Sequence, residues 1–150
     1  MNNLPILHVL VQNTFICVPI EFVSKVLSLP LLEAVPGSPP YLTGLMNLEG
    51  KSIPVIDLAT RVGLKREERY TVDTPILLCF DDKHEAGLVI DKVLQLATIE
   101  EKDYQMRSEF NDPASPFLAS IPFNNALSLL INMNKVLEVS FTLQCTKIYE

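Results

Sequence analysis

The residues that could do chemistry are few and scattered. The densest group is Asp81, Asp82, His84 and Glu85, which could offer oxygen and nitrogen ligands to a metal. A hairpin turn explains it more cheaply, because neighbouring side chains in a turn diverge and charge collects at turn tips for solvation. His8 lies in an apolar, strand-like run and reads as a satisfied structural residue; nothing in the spacing links it to Cys17 or to a serine as a catalytic base. Asp57 closes an apolar run, where a raised pKa could make a general acid or base. Capping the short helical pattern Leu58 to Val62 is the simpler role, its carboxylate accepting from free backbone N–H groups. The acid pairs Glu67-Glu68 and Glu100-Glu101 fall in polar breaks and read as solvated surface. With no glycine-rich phosphate loop and no nucleophile motif, catalysis has little support and no cofactor or metal is implied.

The elements that would position any site are short strands. Leu4 to Val11 and Thr14 to Val18 form a hairpin signal across Gln12-Asn13, ended by Pro19. Ile20, Val23, Val26 and Leu27 recur at helical spacing and predict a short amphipathic helix, with Leu31 to Val35 as a possible strand. The stretch Tyr41 to Leu64 is the organising one. Leu45 to Leu48 leads into Glu49-Gly50, where glycine supplies positive φ for a tight hairpin, and Ser52 to Ile56 returns before Asp57. Lys65 to Asp73, charged and poor in apolar residues, reads as a linker between two halves, with barrels over 14–64 and 75–133 of a single domain spanning 1–150. Ile76 to Phe80, Ala86 to Ile90 and Val93 to Ile99 give three more strands, Asp103 to Pro116 a long loop, and Phe117 to Met133 a hairpin across Asn124-Asn125. Asn134 is placed to cap a turn over Lys135 to Leu137, and Val139 to Ile148 fits strand or helix.

Composition narrows the class. The chain has 150 residues, enough for one core without staples, with 48% hydrophobic and 20% charged residues. Its 11 prolines against 5 glycines favour many short elements over long helices. A net charge of −6 works against phosphate-backbone binding and against anionic lipid, so nucleic acid and membrane are discounted as partners. Cys17, Cys79 and Cys145 lack any Cys-x-x-Cys spacing, and Cys17 and Cys79 sit where a small hydrophobe would serve, as in a reduced, cytoplasmic chain. Met1-Asn2-Asn3 carries no basic side chain to open a secretory signal, and no run is long enough to span a bilayer. About nine or ten short strands predict an all-β barrel or sandwich. Leu45, Met46, Leu48, Ile53, Val55 and Ile56 concentrate apolar surface around one hairpin, mostly as core but with room for an exposed partner groove.

Several segments, in order, resemble the CheW-like domain of bacterial chemotaxis: Phe15-Ile16-Cys17-Val18-Pro19-Ile20, Val23 to Leu27, Val35 to Gly44, Leu45-Met46-Asn47-Leu48-Glu49-Gly50, Ile53-Pro54-Val55-Ile56-Asp57-Leu58, Ala86 to Val93, and Leu129 to Leu137. The resemblance implies an all-β fold of two small five-stranded SH3-like barrels packed about a shared hydrophobic core, with short helices. It also implies a non-catalytic adaptor that joins the cytoplasmic tip of a chemoreceptor to the regulatory domain of a histidine autokinase. By the same resemblance the partner-binding candidates are Val23, Lys25, Gly44, Leu45, Met46, Asn47, Leu48, Glu49 and Gly50. Two expected arginines are replaced, by Glu49 and Ala59, while Lys25 stands where an acid is frequent and Asn132 where Asp is usual. Glutamate for arginine inverts charge and removes a bidentate donor, so an acidic receptor partner would be repelled without loss of fold. An adaptor of a pilus or surface-motility system is therefore an alternative, and a small-barrel ligand-binding or enzyme domain a distant one.

Overall fold

The computed structural model describes residues 3–67, 69–105 and 112–138. Within them the strands are β1 (Asn3–Val11), β2 (Thr14–Pro19), β3 (Val23–Ser28), β4 (Leu42–Leu48), β5 (Lys51–Asp57), β6 (Pro75–Phe80), β7 (Glu85–Val89), β8 (Lys92–Glu100), β9 (Phe117–Phe123) and β10 (Ala126–Ile131). Two short helices, α1 (Leu58–Arg61) and α2 (Met133–Leu137), follow β5 and β10. Val139 to Ile148 and Cys145 lie outside the described residues.

The strands form two five-stranded sheets, ordered β8-β1-β2-β10-β9 and β3-β6-β7-β5-β4. The second is one continuous piece of chain, the central barrel. The first is assembled from both ends and is the terminal barrel. Position for position the two orders carry the same pairings, including one parallel pair each, β10 with β2 and β5 with β7. Each sheet closes in the same way. The chain beyond β3 bridges Glu33 to Leu45 on β4, and the chain beyond β8 bridges Gln105 to Ser120 on β9.

This topology corrects the expected halves, 14–64 and 75–133. Both sides of the 65–73 segment belong to the central barrel, so that segment runs within one barrel and does not link two. The expected helix over Ile20 to Leu27 is also replaced, by a single 3-10 turn, Ile20–Phe22, and then β3. Val23 and Val26 are β-branched and pair with Cys79 and Leu77 of β6, so tertiary pairing overrides the helical spacing.

Side-chain alternation divides the apolar residues into three cores. Met46, Ile53, Val55, Ile76, Leu78 and Val89 fill the central barrel, and Ile6, Cys17, Ile99, Ala119, Ile121 and Leu130 fill the terminal one. Between the barrels, Leu7, Val9, Ile16 and Val18 meet Leu77, Cys79, Ala86 and Leu88, together with residues of both helices. A strand such as β6 is thus buried on both faces, which is why Ile76 to Cys79 is an unbroken apolar run without the alternation of a half-exposed strand. At about 1.5–3 kcal/mol per large side chain buried, this shared layer outweighs any polar contact between the barrels.

Candidate functional site

The expected partner-binding hairpin is β4–β5, and its turn geometry is explicit. Leu48 pairs with Lys51, leaving a two-residue loop in which Glu49 and Gly50 have φ of 52° and 85°. Positive φ at both positions is the type I′ turn whose twist suits a hairpin. Asn47 completes it, its Oδ1 accepting from the Gly50 N–H at 2.8 Å. At the base of the turn Lys51 Nζ pairs with Glu85 Oε1, also at 2.8 Å.

The structure sorts the candidates by direction. Asn47, Glu49 and Gly50 are exposed, and Leu45 and Leu48 are half-buried. Met46 is 2% exposed inside the central barrel, and Gly44 is buried with a Cβ position only 2.7 Å from the Glu33 carbonyl oxygen. Those two hold the barrel closed and present no surface. Ile53, Val55 and Ile56 are core as well, so the apolar concentration around this hairpin is packing, apart from Leu45 and Leu48. Val23 and Lys25 sit on β3, at the opposite end of the strand order from β4. Lys25 is exposed, whereas Val23 packs against the shared core. Sequence proximity to the hairpin therefore does not make β3 and β4 neighbours; the 29–33 segment comes between them.

Behind the hairpin lies a polar cluster that sequence reasoning missed. Asp57, expected to cap α1 by accepting backbone N–H groups, makes no such bond. Its carboxylate instead takes a bidentate pair from Arg66, Nη2 to Oδ1 at 2.8 Å and Nε to Oδ2 at 2.9 Å, plus the Thr60 hydroxyl at 2.8 Å. Arg66 also reaches Asp91 at 3.3 Å and lies over the Tyr70 ring. Asp91 accepts from the backbone and side chain of Gln12, and Gln12 Oε1 accepts from the Glu67 N–H. Burial acts to raise the Asp57 pKa, but the Arg66 hydrogen bonds, the Thr60 hydroxyl and the Arg66 charge outweigh it and hold the carboxyl below its ordinary value. An ionised Asp57 is no general acid. The available signal was Arg66 itself, a guanidinium nine residues beyond a buried acid, but only the fold makes them neighbours.

The other chemical candidates resolve into local structure. Asp81 folds back on its own turn, accepting from the Lys83 and His84 N–H groups and pairing with His84 Nδ1 at 3.1 Å. His8 does meet a serine after all: its Nδ1 lies 3.0 Å from Ser128 Oγ inside the terminal barrel, while its ring stacks on Phe123 with centroids 3.8 Å apart. Both partners are buried, at 2% and 0% exposure, so no substrate reaches the pair. Cys17, opposite His8 on β2, has its thiol pushed up to about 11 by burial, and Cys79 to about 12. Neither is a nucleophile at neutral pH. Among the described residues no helix is long and apolar enough to cross a membrane.

The described residues thus form two five-stranded barrels that share one apolar layer and carry an exposed β4–β5 turn. The family comparison agrees. The CheW-like domain matches residues 5–141, and the chain belongs to that family. Over 95 residues it is 32% identical to the probable chemotaxis protein CheW of Rhizobium etli, an alignment covering 63% of this chain and 61% of that protein. Against the chemotaxis protein CheW of Bacillus subtilis it is 31% identical over 106 residues, covering 69% of this chain and 67% of the relative. Protein FrzA of Myxococcus xanthus is 30% identical over 126 residues, or 82% of this chain and 78% of that one. The match thus spans about three fifths of the Rhizobium relative's length. Among solved structures, scaffolding protein TtCheW from Thermoanaerobacter tengcongensis has the same fold, with a TM-score of 0.80 at 24% identity over 92% of this chain and 94% of that one.

Proposed function

We propose that the chain is a non-catalytic adaptor of bacterial chemosensory signalling, working in the cytoplasm and joining a receptor's cytoplasmic tip to the regulatory domain of a histidine autokinase. Family membership supports the class, and one observation carries the division of labour. The strands β3 and β8, which hold the same end position in the two strand orders, each expose a large apolar residue, Val26 at 47% and Leu96 at 69%. These occupy matching places, Val26 opposite Leu77 and Leu96 opposite Leu7. Two equivalent exposed apolar positions, one per barrel, suit the kinase domain as a partner that meets both barrels, leaving the β4–β5 hairpin for a different ligand, the receptor. An adaptor of this kind need do no chemistry; it transmits state by binding one receptor conformation better than another.

The test is binding of the full chain to the kinase regulatory domain and to a receptor cytoplasmic fragment, alone and together, by calorimetry and sedimentation. The expected result is a ternary complex in which Val26→Glu or Leu96→Glu weakens the kinase side and leaves the receptor side intact. Failure to bind either protein would sink the adaptor reading. A second reading, coupling in a pilus or surface-motility system, is favoured by Glu49 alone, since Ala59 is fully buried and presents nothing to a partner. Receptor fragments from the two kinds of system, compared side by side, separate the readings.

A further inference from the structure

The geometry points to a basic side chain on the receptor segment that docks at the β4–β5 turn, with Glu49 as its counter-charge; this rests on the adaptor reading above and adds the chemistry of the contact. Three tight turns of the described chain have the same form. Gln12-Asn13, Glu49-Gly50 and Asn124-Asn125 all hold both residues at positive φ. Glycine and asparagine adopt that conformation readily, and four of the six positions use them. Only Gln12 and Glu49 have side chains that disfavour it.

Gln12 has an evident compensation. Its backbone N–H and Nε2 both donate to Asp91 Oδ2, at 2.6 and 2.9 Å, and its Oε1 accepts from the Glu67 N–H at 2.9 Å. Glu49 has none among the described residues. Its carboxylate is exposed, the turn is already completed by Asn47, and the cation two residues away, Lys51, is paired with Glu85. Solubility would be served equally by asparagine or aspartate, both better suited to the turn. A strained residue that supports nothing inside the fold marks a contact outside it.

The charge selects the partner. A carboxylate exposed on a turn of a chain of net charge −6 repels phosphate and anionic lipid. One carboxylate beside an engaged Asn47 gives too few oxygens for calcium or magnesium. A symmetric contact between two copies at this turn would set Glu49 against Glu49. An arginine or lysine on a docking polypeptide is what remains, and it would act through steering and register more than through buried area.

Binding of the receptor cytoplasmic fragment is measured for the full-length chain carrying Glu49→Gln, Glu49→Arg and Glu49→Asn, with the kinase domain as a parallel readout. The expected outcome is roughly 10-fold weaker receptor binding for Glu49→Gln and a larger loss for Glu49→Arg, with a flattened salt dependence and kinase binding unchanged. Changing the basic residue of the receptor tip to Glu should restore the Glu49→Arg variant. Glu49→Asn keeps the fold under test, since it should melt at the same temperature or a few degrees higher while still losing receptor affinity. Undiminished binding by Glu49→Arg, or a loss confined to the kinase domain, overturns the inference. So does a wild-type chain that binds the kinase domain and not the receptor, whereas binding neither overturns the adaptor reading itself.

Discussion

Matched by register, the terminal and central barrels are the same object built twice, and they part company at a handful of polar positions. His8 faces Cys17 as Leu78 faces Gly87, and Ser128 faces Ile121 as Ile53 faces Met46. The terminal barrel therefore buries a His–Ser pair where the central one buries Leu and Ile. After the last strand the roles reverse. Asn132 stands at the start of α2 and Asp57 at the start of α1, so the neutral side chain belongs to the terminal barrel and the charge to the central one. A barrel of this size tolerates a polar group inside it or a charge at its end, provided each has its own partner.

The comparison breaks hardest at Arg66. Asp57 has a side-chain exposure of 6% and Arg66 15%, so Arg66→Met leaves a nearly buried carboxylate unpaired. Urea denaturation at pH 7 should show a loss of about 3–5 kcal/mol, the range for stripping one member from a buried pair. The pH dependence carries the sign. In the wild type the Asp57 pKa is depressed below its ordinary 3.8, so its contribution is complete above that value and is lost as pH falls through the folded one. In Arg66→Met only the Thr60 hydroxyl and Tyr70 remain to oppose burial, so that pKa should rise from its wild-type value and the gap between the two proteins should narrow as acid neutralises the carboxyl. A constant gap from pH 7 to pH 3 would remove Asp57 from the explanation.

Arg66 also shows where reading a sequence stops. Of the described strands all but β3 were legible, with the three tight turns and the two short α-helices, because they follow from local alternation and from turn residues at Gln12-Asn13, Glu49-Gly50 and Asn124-Asn125. The β4–β5 hairpin was legible on the same grounds, along with the exposure of Glu49. Partition into barrels was not. The charged 65–73 run looks like a boundary, yet Arg66 is drawn under cover by acids nine and 25 residues away, and the first hairpin leaves its own barrel to be completed by β8, β9 and β10. The His8–Ser128 contact spans 120 residues, beyond any spacing rule. The helical spacing from Ile20 to Leu27 misled for a related reason, since β3 takes its conformation from its pairing with β6.

A smaller break is expected inside the terminal barrel. Ser128→Ala leaves His8 Nδ1 buried without its partner and should cost about 1–3 kcal/mol. The double change His8→Leu with Ser128→Ile copies the central barrel's pair and should recover most of that loss, as replacing both polar partners by apolar groups of fitting shape does. Burial lowers the His8 pKa from 6.5, and the side chains around it, Ser128, Phe123 and Cys17, offer no counter-charge. Its neutral form thus favours the fold above pH 6.5, and that contribution is lost as pH falls through the folded pKa. Denaturation curves for His8→Leu should accordingly show a flatter stability profile than the wild type between pH 7 and pH 5.

The helix starts offer the finest distinction. Asn132 Oδ1 accepts from the Lys135 N–H at 3.2 Å, the capping bond expected at Asp57 and, in the sequence reading, expected of Asn134, which instead lies inside α2. Asn132→Ala should cost about 1 kcal/mol. Asn132→Asp should change stability by less than about 0.5 kcal/mol, because the two residues cap equally well and position 132 is partly exposed, so a charge there needs no buried arginine. Thermal melts of both variants decide whether the barrels differ at this point by the residue or by its surroundings. If Asn132→Asp proves as costly as Asn132→Ala, charge at a helix start is intolerable in the terminal barrel even where solvent reaches it. The Arg66 pair would then answer a demand common to both ends of the fold.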